Sequence, residues 1–407
     1  MNASTDFVVK KFPFELQSRC GFDKMSSEFD EEREIALEHY LDNAATTQVC
    51  PEAAGAALRA MTEVYGNPSS THAKGREARK LLDQSRQAVA DALGARQASE
   101  IVFTSCGSES DNWALLSGAE SKKRQGKHII SSLVEHDAIR RSLEVLESRG
   151  FSVTRLKPDT TGRILPEMVQ EALREDTILV SLMMVNNETG AVTDIHAIAD
   201  VLKKADSPAL LHTDAVQAFK KVPFQARSLG ADLISISGHK IHAPKGIGAL
   251  YIKSGVKLKP LIIGGSQESE RRAGTEPLPQ IAAFAAACQQ DAQIDHIQAM
   301  KHLAVEKLTA ALPEMRYLET EAPHLLNISM PGWRSEVLMN FLESQGIYVS
   351  KSSACKQGKR SHVLEALDLR PEVIDGALRI GFSRFTTEED ILALADGLAA
   401  ARGLAHR

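Results

Sequence analysis

The stretch ADLISISGHKIHAPKGIGALYI (residues 231–252) sets two apolar runs, Leu233 to Ile236 and Ala249 to Ile252, on either side of a polar turn holding Gly238, His239 and Lys240. Short runs of this composition, bounded by glycine, read as buried strands. A lysine between them either sits in a solvated hairpin loop, as most lysines do, or loses its hydration and must gain a partner or lower its pKa. The stretch alone leaves both readings open.

Working outward, the same phrase recurs from about residue 100. EIVFTS precedes CGSESDNWALLSGAE, and KHIISSLV precedes EHDAIRRSLEVLESRG. TILVSLMMV precedes NNETGAVTDIHAIADVLKKA, ALLHT precedes DAVQAF, and DLISIS precedes GHK. Continuously apolar strands alternating with polar clusters and helical patterns predict an α/β fold with a parallel sheet covered on both faces. Right-handed crossovers then bring the clusters to the carboxyl edge of that sheet, where open α/β sheets bind ligands. The clusters supply Ser108, Glu109, His136, Asn187, Asp214, Gln217, Ser237, His239 and Lys240. Their convergence favours a site over a set of unrelated caps.

After ERRAGTEPLPQIAAFAAACQQDAQIDH (270–296) a long helix leaves this domain, and the remainder mixes helices with short strands such as LLNISM and ALRIGFS. The expected organisation is a poorly ordered extension over 1–36, a large domain over 48–290, and a smaller α+β domain built from 37–47 and 291–407. Met25 offers an alternative start.

The chain has 407 residues, 43% of them hydrophobic and 25% charged, enough for about two domains with a substantial core. A formal net charge of -5 gives no reason to expect nucleic acid or an anionic membrane as partner. No apolar run approaches the roughly 20 residues of a membrane span. The first residues lack the apolar core and cleavage site of a secretory signal. Cys20, Cys50, Cys106, Cys288 and Cys355 are far apart, so neither a zinc site nor a disulfide framework is expected. A reducing, cytoplasmic setting follows.

A polar pocket with one lysine, an aspartate at a strand end and a serine-rich helix start suits pyridoxal 5'-phosphate. Lys240 would join the cofactor aldehyde, which accounts for its burial. Asp214 would face the pyridine nitrogen and keep it protonated; it also reads as a helix N-cap. Gly107 and Ser108 offer close approach and a helix start to the phosphate, although Ser108 and Asp111 also read as a Ser-x-x-Asp cap. Glu109 must then turn away or bind a cation. His136 follows a strand and would stack on the ring and move protons, or be structural.

On the residues YLDNAATT (40–47), YGNPSSTHAKGREAR (65–79), VNNETGAVTDI (185–195), DAVQ (214–217), SGHKIHAPKGIGALY (237–251), RRAGTE (271–276) and SSACKQGKRSHVLEAL (352–367), the chain resembles the NifS/IscS-type cysteine desulfurases, class V members of the fold-type I pyridoxal-phosphate enzymes. The resemblance runs from about residue 39 to the end. It implies a seven-stranded, mainly parallel sheet sandwiched by helices. It makes Lys240 the Schiff-base lysine, Asp214 the pyridine partner and His136 the residue stacked on the ring. Gln217 and Asn187 match positions around the cofactor hydroxyl and the substrate carboxylate, and Gly107, Ser108, Ser237 and His239 the phosphate cradle. Thr275 matches a phosphate contact reaching the neighbouring subunit, so a homodimer is implied. Arg379 matches the clamp on the substrate carboxylate and Cys355 the nucleophile. The implied reaction takes L-cysteine to L-alanine: Lys240 removes the Cα proton, His136 assists a proton transfer, and the Cys355 thiolate takes the substrate sulfur as a persulfide. An iron–sulfur scaffold protein or a tRNA-thiolation enzyme would accept it.

The chain departs from the family pattern at Ser352, where glycine is common, and in a shorter loop from Cys355 to Ser361; Ser108 and Ser266 are smaller departures. Lys351, Lys356, Lys359, Arg360 and His362 near Cys355 are expected to pull its thiol pKa down. A selenocysteine lyase or another class V enzyme acting on a different amino acid is the alternative, since it would make the same contacts. A transaminase would need no Cys355. A non-catalytic binding module would be expected to have lost one of Lys240, Asp214, His136, Arg379 or Cys355, and all are present.

Overall fold

A computed structural model describes residues 38–318, 320–352 and 360–404, so Cys355 and the stretch 1–37 lie outside the described residues. The central sheet has seven strands: β1 (Ile101–Thr104), β2 (His128–Ser132), β3 (Ser152–Leu156), β4 (Thr177–Ser181), β5 (Leu210–Asp214), β6 (Leu233–Ser237) and β7 (Gly248–Ile252). Their order across the sheet is β1-β7-β6-β5-β4-β2-β3. Only β7 runs antiparallel to its neighbours; β6, β5, β4, β2 and β3 pair in parallel. The reversal follows from the connection: residues 238–247 contain no helix long enough for a crossover, so β7 folds back beside β6 with Ser237 opposite Gly248.

The alternation of each strand distributes its apolar residues between two cores, which is why the runs read as unbroken. Val102, Ile129, Leu179, Leu210, Leu233 and Leu250 face one cluster, packed against helices α3 (Gly107–Lys122) and α4 (Asp137–Ser148). Their chain neighbours Phe103, Ile130, Val180, Leu211, Ile234 and Tyr251 face the other, with the helices α1 (Pro51–Thr62), α2 (Ala73–Leu93), Ile195–Lys204 and Leu278–Gln289. Strand β3 is one of the two edges, none of its residues is fully buried, and its polar Ser152, Thr154 and Arg155 gave no continuous apolar signal.

One expected helical stretch is absent. Residues 216–221 form consecutive turns rather than a helix. Asp214 Oδ1 accepts from Val216 N at 2.9 Å, an Asx-type turn, and Pro223 ahead disfavours helical backbone at Val222.

A second, antiparallel sheet holds β8 (Arg316–Leu318), β9 (Leu325–Ser329), β10 (Ser350–Lys351) and β11 (Ala377–Gly381) in the order β10-β11-β9-β8. Leu326, Ile328, Leu378 and Ile380 make its core with the helices Ile294–Ala311, Ser335–Glu343 and Glu388–Leu404. The segment after His39 crosses between the two bodies of core. His39–Tyr40 pairs with Ile347–Tyr348 and Leu41 joins the small core, whereas Ala44 joins the large one.

Candidate active site

A cavity of about 950 Å³ opens where the carboxyl ends of the parallel strands meet the small sheet. It is lined by Gly107, Ser108, His136, Asn187, Asp214, Gln217, Ser237, His239, Lys240 and Arg379. Thr275 is exposed and does not line it.

Lys240 stands in the single turn between β6 and β7, and both responses expected of a half-buried lysine are present. Its Nζ donates to the carbonyls of Ala44 at 2.8 Å and Ala45 at 2.6 Å. Burial first, and the Arg379 charge second, push its pKa down to about 8 against the opposing pull of Asp42 and Asp214. An amine so placed is available as a nucleophile and base near neutrality in a way an exposed lysine is not.

At one end of the cavity α3 begins at Gly107, with Cys106 as N-cap and no side-chain cap. Ser108 is inside the helix, so the Ser-x-x-Asp cap is not formed. A Cβ at Gly107 would lie 2.7 Å from Val216 Cγ2, so only glycine permits this approach of helix to turn. The Ser237 hydroxyl is buried without a hydrogen-bond partner. His239 Nδ1 is 3.2 Å from Thr46 Oγ1, and burial with the Lys240 charge pushes the imidazole down to about 4, leaving it neutral. Glu109 does turn to a cation: its carboxylate takes two bonds from Arg272, at 2.9 and 3.1 Å. Burial raises its pKa, but the bonds from Arg272 and Ser105 outweigh that and hold the carboxyl below its usual range. The helix start therefore presents free backbone donors and an unpaired hydroxyl, with the nearby carboxylate already neutralised.

Asp214, 6% exposed, ends β5 in the middle of the sheet. Burial raises its pKa, while His136 and Lys240 pull it down. His136 caps α4, accepting from Ala138 N at Nδ1 (3.1 Å), and it is exposed and lines the cavity. Gln217 donates to Ala44 O at 2.9 Å and faces His324 Nε2 at 3.2 Å. Arg379 comes from β11 of the small sheet. It is 3% exposed, donates to Asn187 O at 2.9 Å and pairs with Asp42 Oδ1 at 3.1 Å, and its Nε has no partner. A buried guanidinium with a spare donor is suited to a carboxylate.

The sequence reading assigned no task to three further carboxyl groups lining the cavity. Asp111 on α3 is fully buried near Asp214, and burial, then that second carboxyl, push it well above the ordinary range. Glu188 follows Asn187 in the same turn and is pushed up to about 7 by burial. Glu135, beside His136, accepts from Ser132 Oγ at 2.5 Å and Met183 N at 3.0 Å, yet burial pushes it up to about 8. Their only signal was position: each adjoins or shares an element with a residue that was read as functional.

Glu135 makes a measurable claim. An acid whose folded pKa lies above its unfolded value of about 4.5 loses stability for the fold as pH rises through that window. The thermal midpoint of wild type should therefore fall between pH 5 and pH 8 by more than that of Glu135→Gln, the difference corresponding to a few kcal/mol at roughly 1.4 kcal/mol per pKa unit. Equal losses in the two proteins would show that burial does not raise this group.

Comparison with known proteins places this geometry. The model of the family Aminotransferase class-V matches residues 39–394. The protein named cysteine desulfurase IscS from Methanosarcina thermophila is 40% identical over 366 residues, spanning 86% of this chain and 89% of that one. A solved structure described as a NifS-like protein superposes with a TM-score of 0.85 at 34% identity, covering 90% of this chain and 100% of the other. Another, described as SspA in complex with cysteine, reaches 0.77 at 32% identity, covering 86% and 100%.

Proposed function

Because the chain belongs to the class-V aminotransferase family, among its cysteine desulfurases, we propose that it binds pyridoxal 5'-phosphate and converts L-cysteine to L-alanine, with the sulfur passing to Cys355. It is an enzyme of the cysteine desulfurase type. The observation that carries the reading is Lys240, held at the strand end by two backbone carbonyls with a lowered pKa.

The residues fit the cofactor. Gly107, Ser108, Ser237 and His239 would hold the phosphate at the α3 start, where the Ser237 hydroxyl has no other partner. Asp214 would hold the pyridine nitrogen's proton, His136 would cover the ring, and Gln217 would sit by its hydroxyl. When bound, the cofactor supplies an electron sink for the carbon that loses its proton. Arg379 and Asn187 take the substrate carboxylate, which orients Cα toward Lys240. Lys240 accepts the Cα proton at Nζ. The Cys355 thiolate attacks the substrate sulfur; the S–S bond forms as the C–S bond breaks, the electron pair stays on carbon, and protonation there, with return of a proton to Cα, yields alanine. No outside oxidant is needed for that step.

Residues 37–47 with 291–407 form, in this reading, a small domain that brings Arg379 to a large domain over 48–290. A homodimer is supported by Thr275, exposed and off its own cavity, and by the exposed Leu261, Ile262 and Ile263 nearby in the chain. An iron–sulfur scaffold or a tRNA-thiolation enzyme would accept the persulfide sulfur. Among the described residues no helix is long and apolar enough to cross a membrane. The test is the purified protein's absorbance, followed by L-cysteine and a reductant with alanine and sulfide both quantified. Cofactor absorbance with equal alanine and sulfide is the expected result. Absorbance without alanine would move the substrate to another amino acid.

A further inference from the structure

Glu188 has no task in the chemistry above, yet its contacts are unusually directed. Its side chain is 5% exposed and accepts the hydroxyl hydrogen of Ser361. Its backbone carbonyl accepts from Asn327 Nδ2 at 3.2 Å, and the same Nδ2 donates to Ser352 Oγ at 2.6 Å. Ser352 and Ser361 are both buried, and they flank residues 353–359, the segment of sequence that contains Cys355. Two residues at opposite ends of that segment are thus tied to one glutamate. The amide of Asn327 spends one hydrogen on each partner. The Ser361 hydroxyl donates to Glu188 and accepts from Leu364 N at 3.1 Å, capping the helix His362–Ala366.

The glutamate is fixed from the other side as well. Asn186 Oδ1 accepts from the backbone N–H of Glu188 and of Thr189, each at 2.9 Å, which locks the turn. Asn187 O in that turn accepts from Arg379, the proposed clamp for the substrate carboxylate. Asn327 and Ser350 lie opposite Arg379 on its two neighbouring strands, so the clamp and the Ser352 tie share one sheet register.

We propose that Glu188 is a positioning residue for sulfur transfer: its carboxylate holds Ser361, at one end of the Cys355 segment, in register with the turn and the arginine that orient the substrate, while its backbone carbonyl, which substitution leaves in place, reaches Ser352 at the other end through Asn327. The assignment rests on the desulfurase reading. It separates binding of L-cysteine, whose carboxylate is assigned to Arg379 and Asn187, from capture of its sulfur, which depends on where the thiol is delivered.

The experiment uses the full-length holoenzyme. Affinity for L-cysteine is read from the change in cofactor absorbance on titration. The rate of persulfide formation on Cys355 is read by mass spectrometry in a single turnover. Glu188→Ala should slow persulfide formation by about 10–100-fold, the scale of a misplaced reacting group, while the dissociation constant moves by less than about threefold. Glu188→Gln keeps an acceptor for Ser361 and should recover most of the rate. Ser361→Ala should resemble Glu188→Ala, and carries the test if Glu188→Ala does not fold. An unchanged persulfide rate in Glu188→Ala would overturn the assignment. So would a loss of affinity matching the loss of rate with no rescue by glutamine, which would make Glu188 a substrate-binding or purely structural group. Absence of persulfide and alanine in the wild type would instead sink the desulfurase reading itself.

Discussion

Lys240→Ala is expected to eliminate turnover, by at least about 10³-fold, the upper range for removing a positioned base that also serves as nucleophile. The wild-type amine sits in a place prepared for it: two carbonyls hold Nζ, and burial together with Arg379 lowers its pKa to about 8. Borohydride reduction of the holoenzyme should fix the cofactor to the peptide containing Lys240, and give no label in the alanine variant. Lys240→Arg keeps the charge but not the lowered pKa, since a guanidinium does not release its proton, and should be as inactive as alanine. Turnover in either variant within tenfold of wild type would remove Lys240 from the chemistry.

Cys355→Ala should abolish alanine formation by a comparable factor while the cofactor absorbance stays intact, because the proposed roles in holding the cofactor fall to other residues. Its activation is narrower than the count of neighbouring cations suggests. Lys351 pairs with Glu336 at 3.3 Å, and Arg360 makes two bonds to Asp375 at 2.6 and 2.8 Å. His362 faces Glu135 O at 3.2 Å, and burial lowers its pKa, so it stands neutral. Of the five basic residues near Cys355 in sequence, these three have other engagements, and Lys356 and Lys359 lie outside the described residues. Alanine production persisting in Cys355→Ala would mean that sulfur leaves without a protein nucleophile, and the assignment of Cys355 would fall.

The architecture was legible where local pattern and burial agree. Each parallel strand buried on both faces announced itself as a short apolar run, and the polar residues after each run converge on the predicted edge. Legibility failed where a residue's environment is not the one its pattern implies. Strand β3 is an edge and carries polar side chains. DAVQAF has helical composition, but the Asp214 carboxylate captures the backbone at Val216 and turns it instead. Glu109 was correctly limited to turning away or binding a cation, because a free carboxylate beside a phosphate site is untenable; which cation it meets, Arg272, lies 163 residues along the chain.

From the sequence alone came the layered α/β fold, a lysine and an aspartate at the ends of buried strands, and a glycine and a serine at a helix start suited to a phosphate, because side-chain alternation and turn chemistry are local. The tertiary structure alone decided which carboxyl groups are buried without a cation, why Lys240 is held at Ala44 and Ala45, and that Glu188 meets Ser361 across 173 positions. Those properties depend on desolvation and on pairs brought together from distant parts of the chain, and no periodicity along the chain records either.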